Sequence, residues 1–320
     1  MDNYLSLLKQ VMEKGIDKED RTGTGVRWVF GAQMRFDLND GFPLVTTKKT
    51  FLRGIVVELI WLIRWETNIK YLVDRNVKIW DEWPFQNYID SNNLWEKFPK
   101  YSDAWMEEKK RFIEKISELP EDDEFVQKWW DLGPVYGQQW RNFNGPHPSP
   151  LPKGEGKRGV DQLKNAIDLI KNDPTSRRII VNAWNPAQID EMLLPPCHMF
   201  YQLNVDTTNN KLNLHMYQRS ADLFLGVPFN IASYSTLLML LAKITWLEAW
   251  EYVHCLWDAH IYNNHFDQVN EQLSREPFGL PELKLKKDVK TLEDLEKLEW
   301  GDFELVWYES HGRISAPVAV

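Results

Sequence analysis

Apolar residues recur at helical spacing from Asn3 to Lys14, at Tyr4, Leu7, Leu8, Val11 and Met12, and predict a short amphipathic helix. The Gly-punctuated DRTGTG, Asp20 to Gly25, predicts a loop carrying one arginine. Val26 to Phe36 alternates and is rich in Val, Phe and Trp, which predicts a strand. FPLVTTKK, Phe42 to Lys49, reads as a turn into a second extended piece. Helical periodicity returns from Leu52 to Trp65, and it sets Glu58 inside an almost wholly apolar surface. From Pro84 to Trp130 the texture changes to Lys, Glu, Asp and Trp with helical stretches such as AWMEEKKRFIEKI, and we read a helical surface insertion at about 85–130 within one domain spanning 1–320. SPLPKGEGKRG, Ser149 to Gly159, is a polar loop. A helix (Val160 to Lys171), a strand (Ile179 to Trp184) and an acidic turn ending in LLPPCH follow. Gln202 to Val205 and Leu212 to Gln218 read as paired strands joined by DTTNN, then a long apolar helix from Pro228 to Trp246 and the strand-like VHCLWDAHIY. Strands and helices mix without regular alternation, so an α+β fold is expected over a doubly wound sheet.

Composition narrows the classes. The chain has 320 residues, 43% hydrophobic, with aromatic residues throughout, which excludes low-complexity disorder. A formal charge of −9 argues against a general nucleic-acid binder and leaves room for a local basic pocket. Only two cysteines occur, Cys197 and Cys255, which fits a reducing compartment and no disulfide scaffold. The N-terminal MDNYLSLLKQ shows no signal pattern, and the most apolar run, near Leu237 to Leu241, is broken by Lys243, short of the roughly 18 residues a spanning helix needs. A soluble, cytoplasmic protein is expected.

The chemistry-bearing residues are few. No phosphate-loop motif occurs, the GTG at Gly23 to Gly25 lacks the third glycine of a dinucleotide loop, and His260 and His265 are wrongly spaced for one face of a helix, so no metal is expected. Cys197 follows Pro195 and Pro196 and precedes His198, the setting of either a nucleophile or an inert buried thiol. Arginines stand beside Gly, Ser or Thr three times, as Arg21 in DRTGTG, Arg177 and Arg178 in TSRR, and Arg219 in YQRS, and guanidinium forks with hydroxyls suit a phosphate monoester. The Asn230 amide offers the donor and acceptor that match the N3–H and O4 edge of uracil, though Asn also caps helices. Asp258, His260 and Tyr262 recur at period two, on one face of a strand.

Taken together, DRTGTG, FPLVTTKK, the Glu58 helix, IWDEW, DLGPVYGQQWR, SRRIIVNAWNP, LPPCH, YQRSADLFLGVPFNIASY, DAHIYNNH and APVAV resemble the thymidylate synthase family along the whole chain. The insertion is similar to the one in longer enzymes of some Gram-positive bacteria. The resemblance implies a homodimeric α+β enzyme with a large twisted mixed sheet at the subunit interface, acting on dUMP with 5,10-methylenetetrahydrofolate as cosubstrate. It implies that Cys197 adds to C6 of uracil, that Arg21, Gln218, Arg219 and Ser220 hold the nucleotide with Arg177 and Arg178 from the partner subunit, and that Asn230 reads the base. His260 and Tyr262 would bind the deoxyribose hydroxyl. Glu58, His198 and Tyr136 would manage protons, and Asp222 would bind the pterin. Ile79, Trp80, Trp83, Leu194, Leu225, Gly226, Phe229, Val318 and Ala319 would surround the folate and exclude water.

Three positions depart from the family pattern. Trp65 and Trp257 stand where glycine is usual, and Gly312 where proline is usual. Two such replacements require local repacking, either neutral or at the cavity beside the ligands. A dUMP hydroxymethylase, in which water quenches the methylene intermediate, is the alternative within the superfamily. A non-catalytic RNA-binding relative is the alternative outside it. The retained Trp80, Asp222 and APVAV ending favour methylation.

Overall fold

A computed structural model describes residues 1–20, 23–146 and 159–317. The chain divides into two compact units, one of residues 1–56, 164–181 and 197–320, the other of residues 57–163 and 182–196.

The first unit is built on a mixed seven-stranded sheet. Helix α1 (Asp2–Lys14) leads through β1 (Ile16–Lys18) into β2 (Val26–Asp37), as the periodicities predict. The predicted extended piece at 42–49 joins no ladder; its carbonyls and amides bond to loops instead, as where Phe42 N–H donates to Pro281 O. Helix α2 (Leu52–Ile63) carries the chain into the second unit, which holds α3 (Lys70–Asp74), α4 (Glu82–Ser91), α5 (Asp103–Glu118), α6 (Glu124–Trp129) and α7 (Tyr136–Asn142), and α8 (Gln162–Asn172) returns it to the first. They are followed by β3 (Ile180–Asn182), β4 (His198–Asp206), β5 (Lys211–Gln218), β6 (Ala221–Asp222), α9 (Gly226–Thr245) and β7 (Glu248–Tyr262). Across the sheet the order is β1-β2-β7-β5-β4-β3, with β6 beside β7; β2 and β7 pair antiparallel, β7 and β5 parallel, and β5 and β4 antiparallel. Alternation along β5 buries Leu212, Leu214, Met216 and Gln218, and α9 packs against β5 and β7 to cover that face.

Helix α9 is the long apolar helix predicted from Pro228 to Trp246; at 20 residues it is by length and composition apolar enough to cross a membrane, whereas the sequence pattern predicts that the run near Leu237 to Leu241 falls short. Lys243 falls in its last turn, where a cation complements the helix dipole rather than ending the helix. Most of α9 is buried within the protein, as befits a core helix. The unit closes with α10 (Phe266–Leu273), the hairpin of β8 (Glu282–Leu285) and β9 (Phe303–Val306), and α11 (Leu292–Glu296) between them.

In the second unit the acidic, Trp-rich segment is helical and has a buried centre of its own. Phe85, Trp105, Phe112, Ile116, Val126 and Trp129 are buried, joining α4, α5 and α6 through ring contacts such as Phe85–Trp105 at 5.1 Å and Tyr88–Trp129 at 5.3 Å. Lys70 of α3 donates to the terminal carbonyls Ile116 O (3.1 Å) and Ser117 O (2.9 Å) of α5, satisfying acceptors that a helix end leaves open.

Candidate active site

Cys197 stands one residue before β4. The antiparallel register pairs His198 with Gln218, so the next pair outward is Cys197 with Arg219, and Arg219 N–H donates to Cys197 O at 2.8 Å. Strand pairing thereby sets the two residues opposite one another, and a guanidinium close to a thiol is a setting that favours a thiolate. Burial, with the Arg219 charge, pushes the His198 imidazole down to about 3, so it is neutral at physiological pH.

Behind this pair runs a directed chain of hydrogen bonds. Gln218 Nε2 donates to Ser220 O (2.9 Å), a carbonyl that can only accept, and this fixes which way the Gln218 amide faces. The same nitrogen donates to Asn230 Oδ1 (3.1 Å), and Gln218 Oε1 accepts from His254 Nε2 (2.8 Å). Asn230 Nδ2 then donates to His198 Nε2 (2.9 Å), which leaves His198 Nδ1–H facing Tyr234 Oη at 3.3 Å. Burial also pushes His254 down to about 3, so neither histidine reverses the polarity by taking a proton. Asn230 lies inside α9, whose N-cap is Leu225, so its amide is committed to this chain rather than to a helix cap.

The loop from β6 into α9 is held at successive backbone groups. Asp222 Oδ1 accepts from the N–H groups of Phe224 (3.0 Å) and Leu225 (3.2 Å), Leu223 N–H donates to His260 O (2.9 Å), and the buried Tyr4 hydroxyl donates to Leu223 O (2.9 Å). Lys48 donates to Phe224 O from above its ring, and burial pushes its amine down to about 7 against the pull of Asp222. Sequence reading passed over Lys48 as a site residue; the only signal was a paired lysine in an otherwise apolar and hydroxyl-bearing FPLVTTKK. Leu225, Gly226 and Phe229 keep part of their surface open around this loop.

Asp258, His260 and Tyr262 share one face of β7, as period two requires: His260 Nδ1 meets Asp258 Oδ1 at 2.8 Å and its ring lies 5.2 Å from Tyr262. Burial opposes ionisation of Asp258, but the His260 and Lys18 hydrogen bonds outweigh it and hold the carboxyl below the usual range. Arg177 and Arg178 are exposed just before β3. Arg21, Val318 and Ala319 lie outside the described residues; the tail before them is tied down by His265 Nε2, which donates to Pro317 O at 2.7 Å.

In the second unit the centre is Glu58 on α2. Trp80 Nε1 donates to Glu58 Oε1 at 2.7 Å, and burial raises the carboxyl to about 7 despite that bond. A carboxyl poised near neutrality exchanges protons readily at physiological pH. Around Trp80 lie Trp83 at 5.2 Å, the buried Tyr136 at 5.9 Å and Trp61 at 6.0 Å. Trp80 therefore does more than the sequence reading gave it, since its indole fixes the catalytic candidate Glu58. Ile79 and Leu194 are half-buried in this unit.

The two unusual tryptophans have separate explanations. Trp65 follows α2 with φ +54°, the left-handed conformation for which glycine is suited, and its N–H closes the helix end on Leu62 O. Trp257 is 49% exposed on β7, edge-on to Phe30 at 4.6 Å. It falls between the registered pairs Phe30–Asp258 and Ala32–Leu256, level with Gly31, where an added Cβ would meet nothing within 4 Å. Gly312 likewise has open space around it. Among the described residues no group of three or more His, Cys, Asp or Glu side chains is placed to hold a metal ion.

The thymidylate synthase family model matches residues 2–320. Curated relatives named thymidylate synthase are similar over the full length of both chains: that of Mycoplasma mobile at 51% identity, that of Malacoplasma penetrans at 50% and that of Mesoplasma florum at 47%. With the motif residues standing on strands and helices that hold them as described, this chain belongs to the thymidylate synthase family.

Proposed function

We propose that this protein is a thymidylate synthase, converting dUMP to dTMP with 5,10-methylenetetrahydrofolate. The observation that carries the reading is the placement of Cys197 opposite Arg219 with the Asn230 amide held in one orientation beside them. Cys197 adds as a thiolate to C6, forming an S–C bond and moving the C5–C6 electron pair toward C5 and O4. Asn230, with Oδ1 turned to accept and Nδ2 to donate, matches N3–H and O4 of uracil and opposes the inverted pattern of cytosine. Arg21, Arg219 and Ser220 hold the phosphate, Gln218 supports the base-reading amide, and His260 and Tyr262 take the deoxyribose hydroxyl. Glu58 relays protons for O4 with His198 in its network, and Tyr136 assists removal of the C5 proton. The electron pair left by the C5 proton frees the one-carbon unit from the folate, and the pair brought by the hydride then re-forms the C5–C6 double bond, so that the S–C6 bond breaks and Cys197 recovers its thiolate.

The residues fit a folate. Half-open apolar surface at Leu225 and Phe229 beside the Asp222 carboxylate suits a flat heterocycle with N–H groups, and Trp80 and Trp83 offer a tilted aromatic pair. By the family resemblance, Ile79, Leu194, Gly226, Val318 and Ala319 are the further residues assigned to the folate. When bound, the folate supplies the one-carbon unit taken up at C5 and the hydride that makes it a methyl group, and departs as dihydrofolate. Exclusion of water by these side chains favours hydride over hydrolysis.

The protein acts as a homodimer through the outer face of its sheet, with Arg177 and Arg178 reaching the partner's phosphate. Their exposure before β3 supports this reading, as do the exposed Phe30 and Trp257. The enzyme works as a single catalytic domain in the cytoplasm, where a reducing milieu keeps Cys197 a thiol. The test is incubation with dUMP and methylenetetrahydrofolate, following dihydrofolate by absorbance and the nucleotide by mass spectrometry. Dihydrofolate in step with dTMP is expected, and Cys197→Ser should abolish both turnover and the covalent adduct. Hydroxymethyl-dUMP without dihydrofolate would overturn the assignment.

A further inference from the structure

The helical segment beyond α4 meets the Trp80 region at Glu82. Glu82 opens α4, two residues after Trp80, and its side chain is mostly buried. The Tyr101 hydroxyl donates to Glu82 Oε1 at 2.9 Å, and Lys109 Nζ of α5 lies 3.9 Å from Glu82 Oε2. Both partners are fixed in turn by Trp105, with the Tyr101 ring edge-on at 5.2 Å and Lys109 4.6 Å above its face. Trp105 is fully buried against Phe85 of α4, so the fork cannot swing away. Helix α5 is itself held at both ends, by the Ser102 cap on Trp105 N–H at 3.2 Å and by Lys70 on its last carbonyls.

We propose that α5 is a positioning strut: Tyr101 and Lys109 grip the two oxygens of Glu82 and thereby fix the turn that carries Trp80 and Trp83, so that Trp80 keeps its hydrogen bond to Glu58. The proposal rests on the reading of Trp80 and Trp83 as folate-contacting and of Glu58 as the proton relay. Tyr101 and Lys109 are positioning residues, acting on Trp80 and Trp83 through Glu82. A Glu82 carboxylate released from both grips leaves the start of α4 free to rotate, and the Trp80 indole moves with it. An exposed ion pair would contribute little here, but this one is screened by a buried indole and works together with a hydroxyl donor.

The test uses the whole enzyme with Tyr101→Phe, Lys109→Met, their combination, and Lys109→Arg as the conservative control. Two readouts are taken. One is exchange of the Trp80 indole N–H in ligand-free protein labelled with 15N-tryptophan, the signal being assigned by its loss in Trp80→Phe. The other is KM for methylenetetrahydrofolate set against KM for dUMP. The double variant should speed indole exchange at least about tenfold and raise folate KM about fivefold, with dUMP KM within twofold of wild type and a cooperative melt retained. Lys109→Arg in the Tyr101 background should keep both within twofold. Unchanged indole exchange would overturn the proposal, as would an unchanged folate KM or a proportional loss of kcat and of affinity for both substrates. A wild-type enzyme that fails to convert dUMP would instead sink the proposed function, and the indole measurement alone would then decide whether the strut exists.

Discussion

Glu58 ties protonation to folding. Its ordinary value is 4.5 and burial raises it to about 7, so between those values the folded protein holds a proton that the unfolded chain has released. For a carboxyl raised in this way the favourable contribution is complete below about pH 4.5 and is lost as the pH climbs through about 7. At about 1.4 kcal/mol per pH unit, the ceiling is about 3 kcal/mol; partial access of the side chain to water brings the expectation to about 1–2 kcal/mol. Glu58→Gln removes the charge and keeps an oxygen that can accept from the Trp80 indole. Urea denaturation of both proteins at pH 5, 6, 7 and 8, at one protein concentration, measures the difference. Asp81, which burial raises to about 6, titrates in both proteins and cancels in the comparison. The variant should gain about 1–2 kcal/mol relative to wild type, mostly between pH 5 and 7, with the gain level by pH 8. A difference flat across the whole range would refute the burial argument and, with it, the case for Glu58 as a proton store near neutrality.

Three further outcomes follow from the same geometry. Trp65→Gly relieves a left-handed tryptophan that is 40% exposed, and should raise stability by roughly 0.5–1 kcal/mol, read as a melting point about 1–3 °C higher; a lower melting point would mean that indole packing outweighs backbone strain. Gln218→Leu unties Asn230 from Ser220 O and His254, and should raise KM for dUMP about tenfold while narrowing the preference for dUMP over dCMP. Unaltered discrimination would show that His198 alone orients the amide. Lys70→Met strips the donors from Ile116 O and Ser117 O, and should cost about 1–3 kcal/mol in denaturant titrations with faster amide exchange along α5; no loss would show that water replaces the ammonium without penalty.

Much of the candidate site is local and so was legible along the chain. Period two set Asp258, His260 and Tyr262 on one face of β7, helical spacing set Glu58 into apolar surroundings, and the turn DTTNN joined β4 to β5. Those features depend on neighbours a few residues apart, which is what periodicity records. The extended reading of 42–49 failed because its backbone groups are satisfied by distant loops, for which the local pattern holds no signal. The long apolar helix predicted from Pro228 to Trp246 is α9, and its apolar run outlasts Lys243 because one cation near a helix end is compatible with burial of the rest.

By itself the sequence pointed to the candidate reactive groups, the mixed α+β architecture and the resemblance of the stretches holding Cys197, Arg219 and Asn230 to one family. Only the tertiary structure decided their physical state. Strand register set Arg219 opposite Cys197, a single carbonyl at Ser220 set the direction of four side-chain hydrogen bonds, and burial raised Glu58 to about 7 despite the Trp80 hydrogen bond. Direction and desolvation belong to surroundings assembled from residues far apart in the chain. A one-dimensional pattern can name the groups, whereas charge and orientation come from what packs around them.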